Sequence, residues 1–428
     1  MQESFLHYVW QFQYFDRTEL KTTSGEEITV FHPGFRNSHA GPDFSNARIR
    51  IGDIEWIGNI EIHVHSSDWV GHHHGQDQAY DNVILHVVWK DDARIQRRDG
   101  SALPTLELKA RIGEKLLLQY DSLIRNTEEI PCAGAIPQVE SLTILNMKER
   151  ALMDRLEKKA AEVVRILETN QNDWEETCFQ ILCRNFGFKV NADPFFELAR
   201  SLDYRSLMKH ADKLLHVEAL LFGQAGFLED NLNDEYFLLL KREYDLLARK
   251  FGLIEKRLNK SQWKFLRLRP ANFPSMRLAQ LASLLSIKKN IFSKIIGAAT
   301  YPKLLQIFSI KQSEYWQHHY QFLKPMKEAI APLGEMSVSS ILINTAVPLM
   351  VAYGKAKDEQ YFIDRAIDIL QHIAPEDNAI IKDWNALGFK SKSASDTQAL
   401  IELHNNFCLK RRCLDCTIGF SVLQPATA

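Results

Sequence analysis

The chain is poor in cysteine, has almost no net charge and contains no long uninterrupted apolar run. Six cysteines in 428 residues are too few for a disulfide scaffold. Lys and Arg number 52 against 54 Asp and Glu, and the net charge of −2 gives no overall attraction to nucleic acid or to a membrane surface. The longest apolar run, near residues 341–352, contains Asn344 and Pro348 and is too short to span a bilayer, so we expect a buried helix there.

Other absences narrow the class of protein further. The N-terminal residues lack a basic segment followed by a long apolar core, so no signal peptide is expected. We find no internal repeat with a fixed period and no low-complexity segment. A hydrophobic content of 45% is typical of a globular protein. We therefore expect a soluble, cytoplasmic protein with no membrane partner, and the sequence leaves its oligomeric state open.

The periodicity of the apolar residues changes along the chain and predicts two domains. Residues 3–15 have helical spacing, alternating segments typical of strands follow, and a further helix is expected near 113–125. The segment from Pro131 to Pro137 interrupts the pattern, and nearly everything after it has helical spacing. We predict an α+β domain over 1–130 and a larger all-α domain over 138–428. The predicted strands are Ile28–Phe31, Phe44–Ile51, Glu55–His65, Val83–Trp89 and Leu103–Leu108.

One predicted strand carries an unusual polar face. Side chains on a strand alternate, so Glu61, His63 and His65 share one face, and the residues between them form an apolar face. Upstream, Asp43 lies just before another apolar segment, far enough away for a strand, a turn and a returning strand. Carboxylate and imidazole groups are metal ligands and proton carriers, so these residues are the first candidates for chemistry.

The order of helix, strand, Pro42-Asp43, strand with Glu61-x-His63, connector and strand resembles the core of the PD-(D/E)xK nuclease superfamily. The resemblance covers roughly the first 110 residues and implies a restriction-endonuclease-like mixed sheet with flanking helices. It also implies a nuclease in which Asp43, Glu61 and His63 are catalytic. Asp43 and Glu61 would hold Mg²⁺ or Mn²⁺, with His65 as a further metal ligand or a group next to one. The chain departs from the pattern at His63, where the superfamily usually has Lys, and this leaves the metal and the activity open.

Three other interpretations fit the same residues. His63-Val-His65-Ser resembles the opening of PHP-type metallophosphoesterases, although here strands precede that motif. A nuclease-like fold without the Lys is also consistent with a protein that binds nucleic acid and does not cleave it. Finally, the strand could simply face water. We expect the neighbouring His72, His73 and His74 to lie in a solvent loop and His86 to be a buried core residue.

A second cluster lies near the end of the chain. His404, Cys408, Cys413 and Cys416 have the spacing H-x₃-C-x₄-C-x₂-C, and the pair at i and i+4 falls on one face of a predicted helix. The four residues predict a structural Zn²⁺ site. Alternatively, the three cysteines hold part of an iron–sulfur cluster with a fourth ligand from elsewhere, or they are small residues that pack the chain end.

The helical half contains one candidate nucleic-acid surface. Arg267, Arg269 and Arg277 flank a proline-rich break between aromatic residues, a combination that suits phosphate contacts and base stacking. Ion pairs with neighbouring helices are the alternative. Taken over its whole length, the chain also resembles an uncharacterised bacterial protein family, and this resemblance implies no activity. The segments that carry it are Gly41–Phe44, Gly58–His63, Val83–Val88, Arg269–Ala279 and Cys408–Gly419.

Overall fold

The computed structural model describes residues 1–37 and 40–424, and the chain divides into two compact units. The first unit comprises Met1–Met147 together with the C-terminal segment that begins at Leu403, and the second comprises Lys148–Glu402. An N-terminal α/β region with a curled mixed sheet is thus followed by a mostly helical region, in agreement with the coarse fold class expected from the periodicity. The domain boundary near residues 131–137 stays a prediction. The cysteine-rich segment, which we expected within the helical half, lies in the unit that holds the sheet.

The first unit is built on one sheet of six strands. In space the order is β1-β3-β4-β5-β6, and the short β2 pairs with β3. The pairs β4–β5 and β5–β6 are parallel and the others are antiparallel. All five predicted strands are present. The strands are β1 (Ile28–His32), β2 (Phe35–Arg36), β3 (Phe44–Ile51), β4 (Ile54–His65), β5 (Val83–Lys90) and β6 (Thr105–Glu107).

A bulge near the start of β3 sets the position of the residue that precedes the strand. The register with β4 shifts between Phe44 and Ala47, and Asn46 adopts a left-handed φ of 55°. An extra residue in one strand puts the alternation before and after it out of phase, so both Phe44 and Ala47 are fully buried despite their odd spacing. The bulge lies next to Asp43 and bends the strand at that point.

The centre of β4 is buried on both faces. Ile60 and Ile62 are fully buried, and Glu61 and His63 are only 4% and 1% exposed. The strand thus has one apolar and one polar face, as its alternation predicts. The burial of the polar face was not expected, because it depends on the crossover of residues 66–82 between the parallel strands β4 and β5.

Helices account for most of the remaining chain. The first helix was predicted over 3–15 and ends at Gln11, because Gln13 has a left-handed φ of 55° that ends the helical path. The helix expected near 113–125 is confirmed. In chain order the helices are α1 (Glu3–Gln11), α2 (Asp68–Gly71), α3 (Glu114–Arg125), α4 (Ser141–Thr169), α5 (Trp174–Phe186), α6 (Ala192–Ser201), α7 (Tyr204–Met208), α8 (Leu214–Gln224), α9 (Glu235–Phe251), α10 (Pro274–Ile287), α11 (Ile291–Gly297), α12 (Tyr301–Phe308), α13 (Glu314–Gln317), α14 (Glu335–Ile341), α15 (Val347–Lys357), α16 (Gln360–His372), α17 (Ala379–Ala386), α18 (Ala394–Leu403) and α19 (Thr417–Leu423).

Aromatic packing explains why the C-terminal segment lies in the first unit. Phe420 of α19 packs edge-on against Tyr8 of α1 at 5.2 Å and against Phe12 at 4.6 Å between ring centroids. The Thr417 hydroxyl also donates to the Thr143 carbonyl. Aromatic pairs bury apolar surface, and here they join the C-terminal segment to α1. Its helical periodicity, which suggested that it belongs to the second unit, carries no information about this long-range contact.

The second unit contains one continuous apolar core. The helix α5 shows how local sequence starts and stops these helices: the Asp173 carboxylate accepts from the N–H groups of Glu175 and Glu176, and Gly187 ends the helix. The apolar run expected to be a buried helix forms a π-helical turn, Leu342–Ala346, followed by α15. The helical stretch Glu335–Lys357 is long and apolar enough to cross a membrane by composition, but 67% of its apolar window is buried inside the protein, as in the core helix of a soluble protein.

One acidic side chain lies within this core. Glu218 of α8 is fully buried and accepts a hydrogen bond from the Tyr236 hydroxyl through Oε2, whereas its Oε1 has no hydrogen-bond partner. Burial disfavours the carboxylate form and raises the pKa of Glu218 to about 7. The folded protein therefore binds a proton at this group more tightly than the unfolded chain does.

This pKa predicts a loss of stability as the pH rises. Between about pH 4.5 and 7 the folded state holds a proton that the unfolded state has lost, so the wild-type chain should lose up to about 3 kcal/mol of unfolding free energy. Glu218→Gln removes the titrating group. Its stability relative to wild type should therefore be higher at pH 8 than at pH 5. Urea unfolding at both pH values, with the exposed Glu255→Gln as control, measures this. Parallel pH curves for wild type and Glu218→Gln would contradict it.

Candidate functional site

Two carboxylates are held together where β3 and β4 pair. Asp43 precedes β3, and Glu61 lies on β4 beside Ile60, the partner of Phe44 in the ladder. The Asp43 backbone N–H donates to Glu61 Oε2 at 3.1 Å, and the Ile62 N–H donates to Asp43 Oδ2 at 2.9 Å. Each acidic residue is thus tied to the strand of the other, which fixes both carboxylates in one place.

The proximity of these carboxylates alters the protonation of Glu61. Burial and then the negative charge of Asp43 raise the pKa of Glu61 to about 9, although the Asp43 N–H acts in the opposite direction. At neutral pH Glu61 therefore carries a proton unless a cation takes its place. A buried acid beside a partly exposed one, with a pKa raised in this way, is typical of functional sites, because a metal ion or a reacting group relieves the repulsion.

The helix α1 adds two ligand-forming side chains that sequence reasoning missed. The Nε2 atom of His7 lies 3.1 Å from Asp43 Oδ2 and 3.8 Å from Glu3 Oε1. Ligand atoms of Glu3, His7 and Asp43 all lie within 4.8 Å of one another. The available signal was the i,i+4 pair Glu3 and His7 on an otherwise apolar helix.

Four histidines form a group on the Glu61 side of the carboxylate pair: His63, His72, His74 and His86. His63 Nδ1 lies 2.8 Å from His86 Nε2, and His63 Nε2 lies 3.1 Å from His72 Nδ1. His74 Nε2 lies 3.2 Å from Glu61 Oε1. Ligand atoms of His63, His72 and His74 converge within 4.8 Å, so the crossover supplies two of the three imidazoles of this group.

Burial disfavours the protonated form of His63, His74 and His86. It lowers the pKa of His63 and of His86 to about 3, and neighbouring histidines act in the same direction. The pKa of His74 is also lowered, first by burial and then by His72. Neutral imidazole is the form that binds metal, and His74 Nε2 is buried without a hydrogen-bond partner of good geometry. His7 Nε2 is likewise buried without a hydrogen-bond partner of good geometry.

Aromatic side chains form one wall of the cluster. Tyr80 stacks on the His74 ring at 3.8 Å between centroids, and Trp69 meets both His74 and His86 edge-on or tilted at 5.4 and 5.5 Å. Burial and the charge of Glu61 raise the pKa of Tyr80 to about 12. This wall excludes water from one side of the cluster, which strengthens the electrostatic interactions within it.

The structure brings together most of the predicted residues and adds others. Glu61 contacts Asp43, and its Oε1 lies 3.6 Å from His63 Nε2, but among the described residues Asp43 and His63 belong to two different converging groups, so the catalytic role of the three stays a prediction. His65 lies at the exposed end of β4, with its side chain near Asp68 and apart from both converging groups among the described residues. The solvent loop expected for His72 and His74 instead directs both rings at His63. His72 and His73 are both exposed, but within the described loop only His73, with a left-handed φ of 60°, has a side chain that contacts none of the other histidines.

The predicted nucleic-acid-binding arginines differ in exposure. Arg277 is 4% exposed, donates to Gln280 and Ser337, and has its pKa lowered to about 10 by burial. Because its guanidinium is enclosed, Arg277 is not placed to contact a phosphate. Arg267 and Arg269 are exposed and stay candidates.

The C-terminal cluster is arranged differently from the predicted ligand set. His404 begins a π-helical turn, His404–Cys408, and both ring nitrogens already have partners. Its Nε2 lies 2.9 Å from Glu129 Oε2, and its Nδ1 lies 3.0 Å from Asn405 Oδ1. The three cysteines of the set, Cys408, Cys413 and Cys416, are buried in the first unit.

Fold and site together define a two-unit protein whose α/β unit contains a buried carboxylate–histidine cluster. The chain belongs to the family described as "Protein of unknown function (DUF2851)", which matches residues 3–379. The matched range contains every residue of the carboxylate–histidine cluster and ends before Cys408. Comparison with curated proteins and with solved structures gave no match.

Gly58 permits the close approach of β5 that brings His86 to His63. A Cβ atom at this position would lie 2.5 Å from Ile84 Cγ2 and 2.8 Å from the Asn82 carbonyl oxygen. Both atoms belong to the segment that enters β5, and the register of the β4–β5 pair shifts next to Gly58. A side chain at this position would therefore push the two parallel strands apart.

We expect Gly58→Ala to destabilise the first unit by about 1–3 kcal/mol, the usual cost of overpacking. Chemical denaturation followed by tryptophan fluorescence measures the change, since Trp69 lies next to His86. Gly71→Ala is the matched control, because nothing lies within 4 Å of its added Cβ. Equal midpoints for both variants would show that β5 tolerates displacement at this point.

Proposed function

We propose that this protein is a metal-dependent phosphodiesterase that cleaves nucleic acid. The observation that carries the proposal is the direct contact between Asp43 and Glu61 on paired strands, with the imidazole of His63 on the same strand as Glu61. A buried Glu61, protonated because of its burial and then because of the nearby charge of Asp43, forms with Asp43 a site that a divalent cation would stabilise.

The order of elements supports a nuclease rather than another metal-dependent hydrolase. The chain runs from α1 through β3, which follows Pro42-Asp43, to β4 with Glu61-x-His63, and then to the parallel strand β5. This is the order on which the resemblance to the PD-(D/E)xK superfamily rests. The PHP-type alternative has less support, because His65 lies apart from His63 and from the carboxylates.

The donor set suggests which ions bind. Asp43 and Glu61 provide the oxygen ligands that Mg²⁺ and Mn²⁺ prefer. His7 and His74 lie beside these carboxylates and add nitrogen donors, which favour Mn²⁺ over Mg²⁺. When bound, such an ion polarises a phosphoryl oxygen and acidifies a bound water.

His63 takes the place of the usual Lys but contributes different chemistry. It is neutral, so it supplies no fixed positive charge, and both ring nitrogens face other imidazoles. We assign to it the orientation of the attacking water, which would take the place of the exposed His72, now 3.1 Å from His63 Nε2.

The choice of nucleic acid as the substrate class rests on the resemblance to the nuclease superfamily and on two exposed arginines. The chain has no overall positive charge, so phosphate contacts depend on local cations. Arg267 and Arg269 are exposed on the proline-rich segment of the helical unit and are the proposed contacts, whereas the buried Arg277 is not.

Replacement of either carboxylate should abolish cleavage. We expect Asp43→Asn and Glu61→Gln to reduce the cleavage of a mixed DNA and RNA pool by at least about 100-fold with Mg²⁺ or Mn²⁺, because a ligand to the ion is lost. Glu61→Gln resembles the protonated carboxyl of the folded protein, so the fold should persist. A gel assay of the pool with each metal measures the activity.

Glu55→Gln is the matched control, because Glu55 lies on the same strand, pairs with the exposed Arg48 and is far along β4 from the cluster. It should cleave as wild type does. Equal cleavage by Glu61→Gln would exclude the proposed site. Binding that weakens with salt, without cleavage in either metal, would instead identify a nucleic-acid-binding protein that lacks catalysis.

Metal binding can be tested without a substrate. A ligand at 100 times its dissociation constant stabilises the folded state by about 2.7 kcal/mol. We expect Mn²⁺ to raise the thermal unfolding temperature of the wild type and of Glu55→Gln. Glu61→Gln should show little or no increase. A similar increase in all three proteins would place the ion elsewhere.

A further inference from the structure

We infer that Cys132 is the fourth ligand of a thiolate metal centre that it forms with Cys408, Cys413 and Cys416 in the first unit. The four residues come from two chain segments that the fold brings together, and His404 is not among the ligands. The ligand chemistry is that of a tetrathiolate site, which binds either one Zn²⁺ or an iron–sulfur cluster. This centre is separate from the carboxylate–histidine cluster, and its existence does not depend on the proposed nuclease activity.

Tight local turns gather the three C-terminal cysteines. The Arg411 N–H donates to the Cys408 carbonyl at 3.0 Å, and the Cys416 N–H donates to the Cys413 carbonyl at 3.3 Å. Arg411 has a left-handed φ of 53°, which reverses the chain between Cys408 and Cys413. Of the three cysteines within nine residues, Cys408 ends the π-helical turn, and Cys413 and Cys416 lie on the compact turn that follows it.

The side chain of Arg411 ties this loop to the segment before Cys132. Its Nη1 donates to the Cys408 carbonyl at 2.7 Å, and its Nη2 donates to the carbonyls of Asn126 and Glu128 at 2.7 and 2.8 Å. The Asn126 amide in turn donates to the Pro131 carbonyl at 2.9 Å. One guanidinium therefore links the two cysteine-bearing segments through backbone groups on both sides.

Packing after each cysteine segment maintains the same arrangement. The 3₁₀ turn Ala133–Gln138, which begins directly after Cys132, packs against α19, which begins directly after Cys416. Gly419 in the first turn of α19 allows close contact, because a Cβ there would lie 2.4 Å from the Cys413 carbonyl oxygen. The Gly419 contact holds α19 against Cys413, and the packing of the Ala133–Gln138 turn on α19 brings the Cys132 segment to the same helix.

Burial and mutual electrostatics are consistent with four neighbouring thiols. Each of the four cysteines is 6–7% exposed. Burial, and then Cys416 and Cys413, raise the pKa of Cys132 to about 12. Burial and then Cys132, Cys416 and Cys413 raise the pKa of Cys408. In the described chain no cysteine forms a disulfide, so a bound metal is the partner that would hold these thiols as thiolates.

The spacing of the sulfurs bears on which metal is bound. Among the described residues, the groups whose ligand atoms converge within 4.8 Å do not include these cysteines. Zn–S bonds of about 2.3 Å would place tetrahedral sulfurs about 3.8 Å apart. One Zn²⁺ would therefore draw the thiols inward, whereas an iron–sulfur cluster spans a wider separation with its own iron and sulfide atoms.

The remaining cysteines and His404 provide matched controls. Cys178 and Cys183 are fully buried on α5 in the second unit, apart from the four-cysteine group. His404 is buried within the first unit, but its ring nitrogens contact Glu129 and Asn405. A ligand role for His404 and one for Cys132 therefore make opposite predictions.

Metal content after anaerobic purification of the full chain tests the proposal. We expect wild type, Cys178→Ala and His404→Gln to retain either about one zinc, or iron with acid-labile sulfide and visible absorbance, per chain. Cys132→Ala should retain at least fivefold less of the same metal. Elemental analysis and a sulfide assay distinguish zinc from an iron–sulfur cluster, and either one supports the four-cysteine centre.

A second measurement on the wild-type chain covers the case in which Cys132→Ala does not fold. Thiol alkylation followed by peptide mass spectrometry should show Cys132, Cys408, Cys413 and Cys416 protected together and becoming reactive together when a chelator removes the metal. If the reactivity of Cys132 did not change when the metal is removed, the proposal would be overturned. So would wild-type metal content in a folded Cys132→Ala, or no metal in wild type after reconstitution with zinc and with iron plus sulfide.

Discussion

The two backbone hydrogen bonds that tie Asp43 to β4, from the Asp43 N–H to Glu61 and from the Ile62 N–H to Asp43, are the constraint on which the rest of the candidate site depends. Two acids side by side away from water are unfavourable, since each loses hydration and repels the other. The backbone N–H groups of Asp43 and Ile62 offset part of that cost, and the proton on Glu61 removes much of the remainder. The histidines and α1 then pack around a pair whose position is already fixed by the β3–β4 ladder.

Alternation along β4 made the polar face predictable, because it depends only on neighbours in the chain. Glu61 and His63 follow a period of two, and that period survives folding. His65 shares the period, but the strand ends there and its side chain turns to Asp68 at the surface. A periodic pattern therefore predicts which face of the strand a residue occupies. Whether that face becomes an enclosed site depends on which segments of the chain pack over it.

The residues that the sequence did not predict come from distant segments or from loops. His72 and His74 lie in a polar connector that is indistinguishable from a solvent loop until the crossover between parallel strands folds over β4. Glu3 and His7 reach Asp43 only because α1 packs on the same region. Arg277 had the sequence context of a phosphate contact and instead satisfies buried polar groups. Loop closure of this kind has no periodic signature.

The first unit combines two groups of side chains with opposite metal preferences. Carboxylates select hard ions, imidazoles accept several transition metals, and thiolates select soft ones. Asp43 and Glu61 therefore favour Mg²⁺ or Mn²⁺, whereas four thiolates favour zinc or iron–sulfur chemistry. Because thiolates bind hard ions poorly, the two sites would not compete for Mg²⁺ or Mn²⁺. A soft-metal centre that joins Cys132 to the C-terminal loop would add a crosslink to a unit assembled from both ends of the chain, which gives the thiolates a structural role distinct from catalysis.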